Sequence, residues 1–195
     1  MNEGASHTRG YLLPGERVLW EGRPDVWGFS MRGAWYAIPF SLLWGGFAIF
    51  WEIGVLTSNA PFFFSIWGIP FVLLGLYMIF GRIWVARREA RNTRYAITDR
   101  RVLIRSGAFR PTLVSLELDT LPGTELSERG DGSGSITFGT YSGFFRLPPG
   151  WPAMGTYRNP PGFFAVPDVR RVFDTLQRAR SDLRAASAPA APSTV

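Results

Sequence analysis

Two long stretches without a charged residue dominate the pattern of hydrophobic and polar positions in this chain. Nineteen uncharged residues lie between Arg32 and Glu52, and twenty-nine lie between Glu52 and Arg82. A helix rises about 1.5 Å per residue, so residues 33–51 reach roughly 28 Å, close to the roughly 30 Å hydrocarbon thickness of a bilayer. The pattern therefore predicts a first transmembrane helix over residues 33–51.

The second stretch is too long for one span, and a turn-forming segment interrupts it. Residues 57–61 read Thr-Ser-Asn-Ala-Pro, which predicts a break and leaves residues 61–81 as a second span. Residues 33–81 are thus predicted to form a transmembrane hairpin with a short connector. The alternative is a pair of buried helices in a water-soluble protein, although core helices are usually shorter than these stretches.

Charge predicts the orientation of the hairpin. The net charge is +6, and because the sequence contains no lysine, arginine supplies every strongly basic side chain. The connector has no arginine, whereas the flanks carry Arg9, Arg17, Arg23 and Arg32 on one side and Arg82, Arg87, Arg88, Arg91 and Arg94 on the other. The positive-inside rule then predicts a multi-pass protein of the inner membrane with both termini in the cytoplasm.

Residues 82–94 predict a basic juxtamembrane helix. If the second helix continues through them, Arg87, Arg88, Arg91 and Arg94 fall within about 120° of arc on one face. Such a face attracts anionic lipid headgroups by about 1 kcal/mol per arginine. The alternative is that these arginines only fix the topology. Because the basic residues concentrate beside the spans, nucleic acid is not a predicted partner.

Beyond the juxtamembrane segment, short strand-like runs replace the helical pattern. Residues 95–98 and 102–104 predict a β-hairpin around the polar turn Asp99-Arg100. Further strands are predicted at residues 113–118, 124–127 and 135–138, and an N-terminal strand over residues 16–22 is expected to cover a sheet edge. Several short strands at close spacing predict an antiparallel barrel or sandwich.

One amphipathic helix is predicted to close the soluble domain. It follows Pro167-Asp168, and its apolar positions recur at helical spacing at Val169, Val172, Phe173, Leu176 and Leu183. We expect this face to cover the strands. Residues 140–161, rich in glycine, proline and aromatic residues, predict a loop. Residues 1–10 and 185–195 are expected to be a flexible N-terminus and a disordered tail.

Composition removes most catalytic and metal chemistry. There is no cysteine, and the single histidine is His7, so no metal site or cofactor is predicted. Residues 130–134 predict a β-turn rather than a phosphate-binding loop, because a strand and not a helix follows them. Neither predicted span contains a charge, which argues against a transporter.

Four segments resemble bacterial membrane proteins that carry a pleckstrin-homology-like (PH) domain. They are residues 13–22, 95–102, 132–138 and 164–169. The resemblance implies a bent antiparallel barrel closed by a C-terminal helix, and it implies no catalytic residues. The predicted fold class is therefore α+β, with a two-helix transmembrane hairpin and a PH-like β-barrel over residues 95–184 capped by the C-terminal α-helix.

Three functions remain in competition. The preferred one is a membrane-anchored, non-enzymatic binding module on the cytoplasmic face that recruits a protein or senses anionic lipid, with candidate contacts at Arg87, Arg88, Arg91, Arg94, Arg100 and Arg101. The second is an accessory or assembly subunit of a membrane complex acting through its hairpin, where Gly45-Gly46, Gly68 and Gly75 allow close helix packing. The third is an enzyme using carboxylates, the candidates being Asp99, Glu117, Asp119, Glu125, Glu128 and Asp131, of which Glu117 and Asp119 are predicted to share a strand face.

Overall fold

The computed structural model describes residues 10–58, 60–139, 149 and 160–187 of the 195-residue chain. The chain forms two compact units. One contains the helices between Val26 and Ala90, and the other contains the strands and the C-terminal helix. Most of the predicted loop at 140–161, of the flexible N-terminus and of the predicted tail lies outside the described residues.

The helical unit contains two long apolar helices, as predicted. Its elements are α1 (Val26–Ser30), α2 (Ala34–Thr57), α3 (Phe62–Leu76), a π-helical turn (Tyr77–Gly81) and α4 (Arg82–Asn92). The last three follow one another without a break. Among the described residues, two segments are long and apolar enough to cross a membrane, Tyr36–Thr57 and Phe62–Asn92.

The first apolar helix is longer than predicted. Helix α2 does not end at Trp51 but continues to Thr57, so Glu52 lies inside it. Glutamate has a good intrinsic helix propensity, and a single charge does not end a helix. The chain leaves the helix only at Ser58, whose backbone N–H still bonds to Gly54 O. Residues 33–51 themselves are uncharged, but the apolar helix that they belong to also carries Glu52.

The basic juxtamembrane helix is shorter than predicted. Helix α4 ends at Asn92, and Arg94 is the first residue of a strand. The Asn92 side-chain amide donates to Gly107 O and Ala108 O at 3.3 and 3.2 Å, which ties the helix end to a strand connection. Strand pairing on both sides then holds the following residues extended. Arg94 consequently does not share a helix face with Arg91.

In the part of the chain that the structure describes, seven strands form two antiparallel sheets. The strands are β1 (Val18–Gly22), β2 (Arg94–Thr98), β3 (Arg101–Ser106), β4 (Thr112–Glu117), β5 (Thr124–Glu128), β6 (Gly134–Phe138) and β7 (Gly162–Val166). The sheet orders are β1-β2-β3-β4 and β5-β6-β7. The predicted α+β fold class is confirmed, and within the described residues no strand pairing closes the two sheets into one barrel. Strand β4 ends at Glu117, and the next residue, Leu118, bonds through its backbone N–H to Arg100 O at 2.9 Å and buries its side chain completely.

The predicted N-terminal strand is present at the sheet edge. Strand β1 pairs antiparallel with β2, with Gly22 opposite Tyr95 and Glu21 opposite Ala96. The helical hairpin is therefore inserted between two neighbouring strands of one sheet. Strand β7 is not among the strands predicted from the sequence, where residues 164–169 contribute only to the family resemblance.

One hydrophobic core joins both sheets to the C-terminal helix. Helix α5 (Val169–Ser187) buries Val169, Val172, Leu176 and Ala179, so the prediction that its apolar face covers the strands is confirmed. At the core centre, Phe163 of β7 contacts the Tyr95 ring with centroids 4.8 Å apart. The helix extends to Ser187, so residues 185–187 belong to it and not to the predicted tail.

Candidate functional site

Arginines meet at the open end of the β2–β3 hairpin. Arg94 and Arg105 lie directly opposite each other across the two strands. With Arg91, from the last turn of α4, they line a pocket of about 280 Å³. The complete lining is Arg91, Asn92, Arg94, Arg105, Gly107, Phe109 and Pro111. No acidic residue belongs to this lining, so the pocket is strongly positive.

The charges around Arg94 are poorly compensated. Burial lowers the pKa of Arg94 most, the nearby Arg23 and Arg105 lower it further, and Glu21 acts in the opposite direction. Like charges directly opposite across antiparallel strands are destabilising. The pocket therefore carries uncompensated positive charge, which a bound anion would neutralise.

Two of the lining arginines hold guanidinium donors that the described residues do not use. Arg94 Nη1 donates to Arg91 O at 2.7 Å and to Thr93 O at 2.8 Å, which fixes its position. The Nε atoms of Arg94 and Arg105 are buried and have no hydrogen-bond partner in the part of the chain that the structure describes. Guanidinium N–H groups bind phosphate and carboxylate oxygens with charge-assisted hydrogen bonds. The site is thus chemically suited to a phosphate or carboxylate.

An exposed aromatic residue stands beside this pocket. Phe109, in the loop between β3 and β4, is 65% exposed. The loop begins at Gly107, which has a φ of +135° and leaves no room for a Cβ against Arg110 O. Only glycine adopts this backbone without strain. Aromatic and basic side chains at one loop are typical of surfaces that touch a bilayer interface.

Two of the six predicted contact residues, Arg91 and Arg94, line the pocket. Arg105 also lines it and was missed, although the sequence contained a signal for it. In a hairpin with the turn at Asp99-Arg100, Arg94 and Arg105 each lie five residues from the turn, so they must face each other across the strands. Arg100 lies in that turn, five residues from Arg105, or roughly 17 Å along the strand from the pocket.

Arg101 is engaged in a buried ion pair. Its Nε lies 2.9 Å from Glu16 Oε1, and its Nη2 donates to Glu16 Oε2 at 3.0 Å. Thr98 Oγ1 and Leu13 N donate to the same carboxylate. Burial alone raises the pKa of Glu16, but the bonds from Arg101, Leu13 and Thr98 outweigh it and lower the pKa. This pair joins the N-terminal segment to the sheet, so Arg101 has a structural role.

Arg87 and Arg88 contact aromatic rings in the helical unit. The Arg87 guanidinium lies 5.5 Å from the Trp27 ring centroid. The Arg88 guanidinium lies 5.9 Å from the Trp84 ring centroid. Cation–π contacts of this kind are individually weak at exposed sites. They orient the two arginines without removing their charge.

The carboxylates considered for catalysis take part in local structure. Strand β4 ends at Glu117, so Asp119 is not on its face and the predicted carboxylate pair is wrong. Asp119 accepts from Thr120 N, Asp99 from Arg17 N, Asp131 from Ser133, and Glu128 pairs with Arg170. The turn predicted at residues 130–134 is confirmed, with Gly132 N bonded to Arg129 O. The described residues contain no cluster of histidine or acidic side chains that fits a metal ion.

Helices α2 and α3 pack closely where both lack side chains. A Cβ on Gly75 would lie 2.7 Å from Gly45 Cα, and a Cβ on Gly68 would collide with the Glu52 carboxylate. The prediction of close packing is confirmed for Gly45, Gly68 and Gly75. It is wrong for Gly46, which faces open space.

An aromatic groove runs beside this helix contact. Its volume is about 270 Å³. Its lining is almost wholly apolar and consists of Trp44, Phe47, Ala48, Trp51, Trp67 and Phe71. Ala48 is buried, whereas Phe47 and Trp67 are largely exposed. The groove is therefore open along one side of the hairpin.

Comparison with known proteins gives one family and one relative. A family model described as bacterial PH domain matches residues 46–180. A protein of Rhodobacter capsulatus, described as an uncharacterized 23.7 kDa protein in the puhA 5' region, is 26% identical over 179 residues. That alignment covers 86% of this chain and 81% of the relative. No solved structure matches the chain.

Proposed function

Because the chain belongs to the bacterial PH domain family, we propose that it is a membrane-anchored, non-enzymatic module that binds an anionic lipid headgroup. The headgroup phosphate would be held by Arg91, Arg94 and Arg105. The observation that carries this proposal is the pair of buried Nε atoms on facing arginines that lack a hydrogen-bond partner among the described residues.

Anchoring by the hairpin is supported by its exposed apolar surface. Leu43, Phe50 and Phe62 are each at least three-quarters exposed. Burying such side chains in hydrocarbon gains about 1.5–3 kcal/mol each relative to water. The arginine-rich flanks and the arginine-free connector support the inner membrane, with both termini and the pocket on the cytoplasmic side.

Continuity of the chain supports a headgroup as the ligand. Arg91 lies in the same uninterrupted helical segment as the second candidate span, Phe62–Asn92. A pocket that begins in this segment is tethered to the lipid surface, where the local concentration of headgroups is high. Phe109 would enter the interfacial layer while the arginines hold the phosphate. A basic residue near an anionic leaflet contributes about 1 kcal/mol.

The test is a titration of the full-length chain in a non-ionic detergent with short-chain lipids. The probes are dioctanoyl phosphatidylglycerol, dioctanoyl phosphatidylcholine and inorganic phosphate. We expect wild type to prefer the anionic lipid over phosphatidylcholine. Two arginines at about 1 kcal/mol each correspond to roughly a 30-fold effect on affinity. The Arg94→Gln/Arg105→Gln variant should lose this preference.

A matched control is Arg171→Gln, which removes an exposed arginine from helix α5. It should keep the preference. Arg105→Gln alone is the gentler variant, because the Arg105 side chain makes no hydrogen bond with the described residues, and it should lose part of the preference. Equal binding of inorganic phosphate and anionic lipid would indicate a free-anion site instead. If the wild type shows no lipid preference, the result would favour recruitment of a protein over lipid binding.

A further inference from the structure

The hairpin contains one charged residue in an otherwise uncharged environment. Glu52 is the only charged side chain of helix α2, and helix α3 contains none. It is separated from the end of α2 at Thr57 by more than one helical turn, or about 8 Å of rise. Ionisable side chains inside membrane spans are costly and usually pair with an opposite charge or a donor.

The Glu52 carboxylate points at the backbone of the neighbouring helix. Its Oε2 packs over Gly68, where a side chain would collide with it. This oxygen is buried, and among residues 10–58, 60–139 and 160–187 it has no hydrogen-bond partner. Glycine at position 68 therefore leaves room for a carboxylate without supplying a donor to satisfy it.

The hairpin cannot neutralise this carboxylate with its own side chains. Helices α2 and α3 contain no arginine. The first arginine after α3 is Arg82, fourteen residues beyond Gly68, or about 21 Å of helical rise. A second copy of the chain in the same orientation would bring another Glu52 to this depth and no cation. No side chain among the described residues supplies the missing partner, which leaves room for a cation from a different molecule.

The aromatic groove lies beside the same helix contact. Ala48 lines the groove and precedes Glu52 by one helical turn, so both occupy one face of α2. Trp51 and Trp67, the sequence neighbours of Glu52 and Gly68, also line it. An apolar groove next to an unsatisfied carboxylate matches a transmembrane helix that is apolar except for one basic residue.

We propose that the hairpin binds a transmembrane helix of a partner protein whose lysine or arginine pairs with Glu52. The proposal rests on insertion of the hairpin into the membrane. The aromatic groove contributes packing area, and Glu52 selects the partner by charge. An acyl chain would fill the groove but would leave the carboxylate unpaired.

The test uses full-length protein in phosphatidylcholine liposomes with a labelled synthetic transmembrane peptide. The host peptide is a leucine- and alanine-rich helix with one lysine at the depth of Glu52, and its comparison peptide has leucine there. Energy transfer from the labelled protein reports association. We expect the lysine peptide to associate at least about threefold more tightly, which is the typical strength of one polar contact between membrane helices.

Three variants make this result specific. Glu52→Gln should remove the preference for lysine, and Glu52→Lys should transfer it to a peptide carrying glutamate. Gly46→Ala, at a position that faces open space, should leave the preference unchanged. Restored pairing in the charge-swapped system cannot result from a misfolded protein.

Opposite outcomes overturn the proposal. Equal association of both peptides, or a lysine preference that survives in Glu52→Gln, would refute it. Energy transfer between two labelled copies of the chain that competes with the peptide would assign the groove to self-association instead. Alkaline extraction distinguishes a failure of membrane anchoring from a failure of the Glu52 pairing. Release of the protein from membranes would refute the anchoring itself, whereas a retained protein without lysine preference would refute only the role of Glu52.

Discussion

Replacing Glu16 with glutamine should loosen the attachment of the N-terminal segment to the sheet. The Glu16 side chain is completely buried and the Arg101 side chain is 13% exposed. Breaking a buried ion pair by removing one partner typically costs 3–5 kcal/mol. Arg101 keeps its bond to Tyr11 O and some contact with water. We therefore expect the lower end, about 3 kcal/mol.

Hydrogen exchange of the full-length chain in nanodiscs measures this loss locally. A cost of about 3 kcal/mol corresponds to roughly a 150-fold fall in the protection of amides in β1 and β2 that open together. The control is Glu128→Gln, which breaks the exposed pair with Arg170 and should cost at most about 1 kcal/mol. An effect of Glu16→Gln no larger than that of the control would refute the structural role of the pair.

The same pair predicts a pH dependence with a definite sign. The folded-state pKa of Glu16 lies below its ordinary value of 4.5 because bonds from Arg101, Leu13 and Thr98 outweigh burial. A carboxylate with a depressed pKa stabilises the fold above its ordinary pKa, and this stabilisation disappears as the pH falls through the folded-state value. The difference in protection between wild type and Glu16→Gln should be constant near neutral pH and shrink below about pH 4.5. A difference that grows on acidification would contradict this reasoning.

Three further changes test other parts of the structure. Gly75→Leu should separate α2 from α3 and lower the thermal stability of the hairpin in detergent, because its Cβ meets Gly45, whereas Gly46→Leu should be tolerated. Leu176→Ala should lower the free energy of unfolding by about 2–5 kcal/mol in denaturant titrations, because the side chain is fully buried in the core. Phe109→Ser should weaken anionic-lipid binding without lowering stability, because this side chain is mostly exposed. Equal tolerance of both glycine variants, a neutral Leu176→Ala, or a Phe109→Ser variant that unfolds would each contradict the corresponding assignment.

The β2–β3 hairpin shows how far sequence reasoning reached. A two-residue turn at Asp99-Arg100 fixes the register of both strands, and with it the position of Arg105 opposite Arg94. This pairing was accessible from local pattern alone. The Glu16–Arg101 pair was not, because it joins residues 85 positions apart across the inserted hairpin. Its existence depends on the long-range pairing of β1 with β2.

Glu52 shows a different limit. The sequence prediction ended the first span before the charge of Glu52. Glutamate is a good helix former, however, and the helix continues past it. The register of the helical hairpin decides where this side chain points. Gly45 faces Gly75 and Glu52 faces Gly68, seven residues away on each helix. The sequence identified the small residues but not which of them accommodates the carboxylate.

The insertion of the hairpin between paired strands has a consequence for biogenesis. Strand β1 is synthesised first, yet its neighbour β2 leaves the ribosome only after both apolar helices. At about 5–20 residues per second, the first strand waits roughly 4–15 s with an open edge. If the hairpin spans the bilayer as proposed, a chain whose second apolar helix failed to return would hold the two strands on opposite sides and could not pair them. Under that topology, completion of the sheet would require that both apolar helices had inserted in opposite directions.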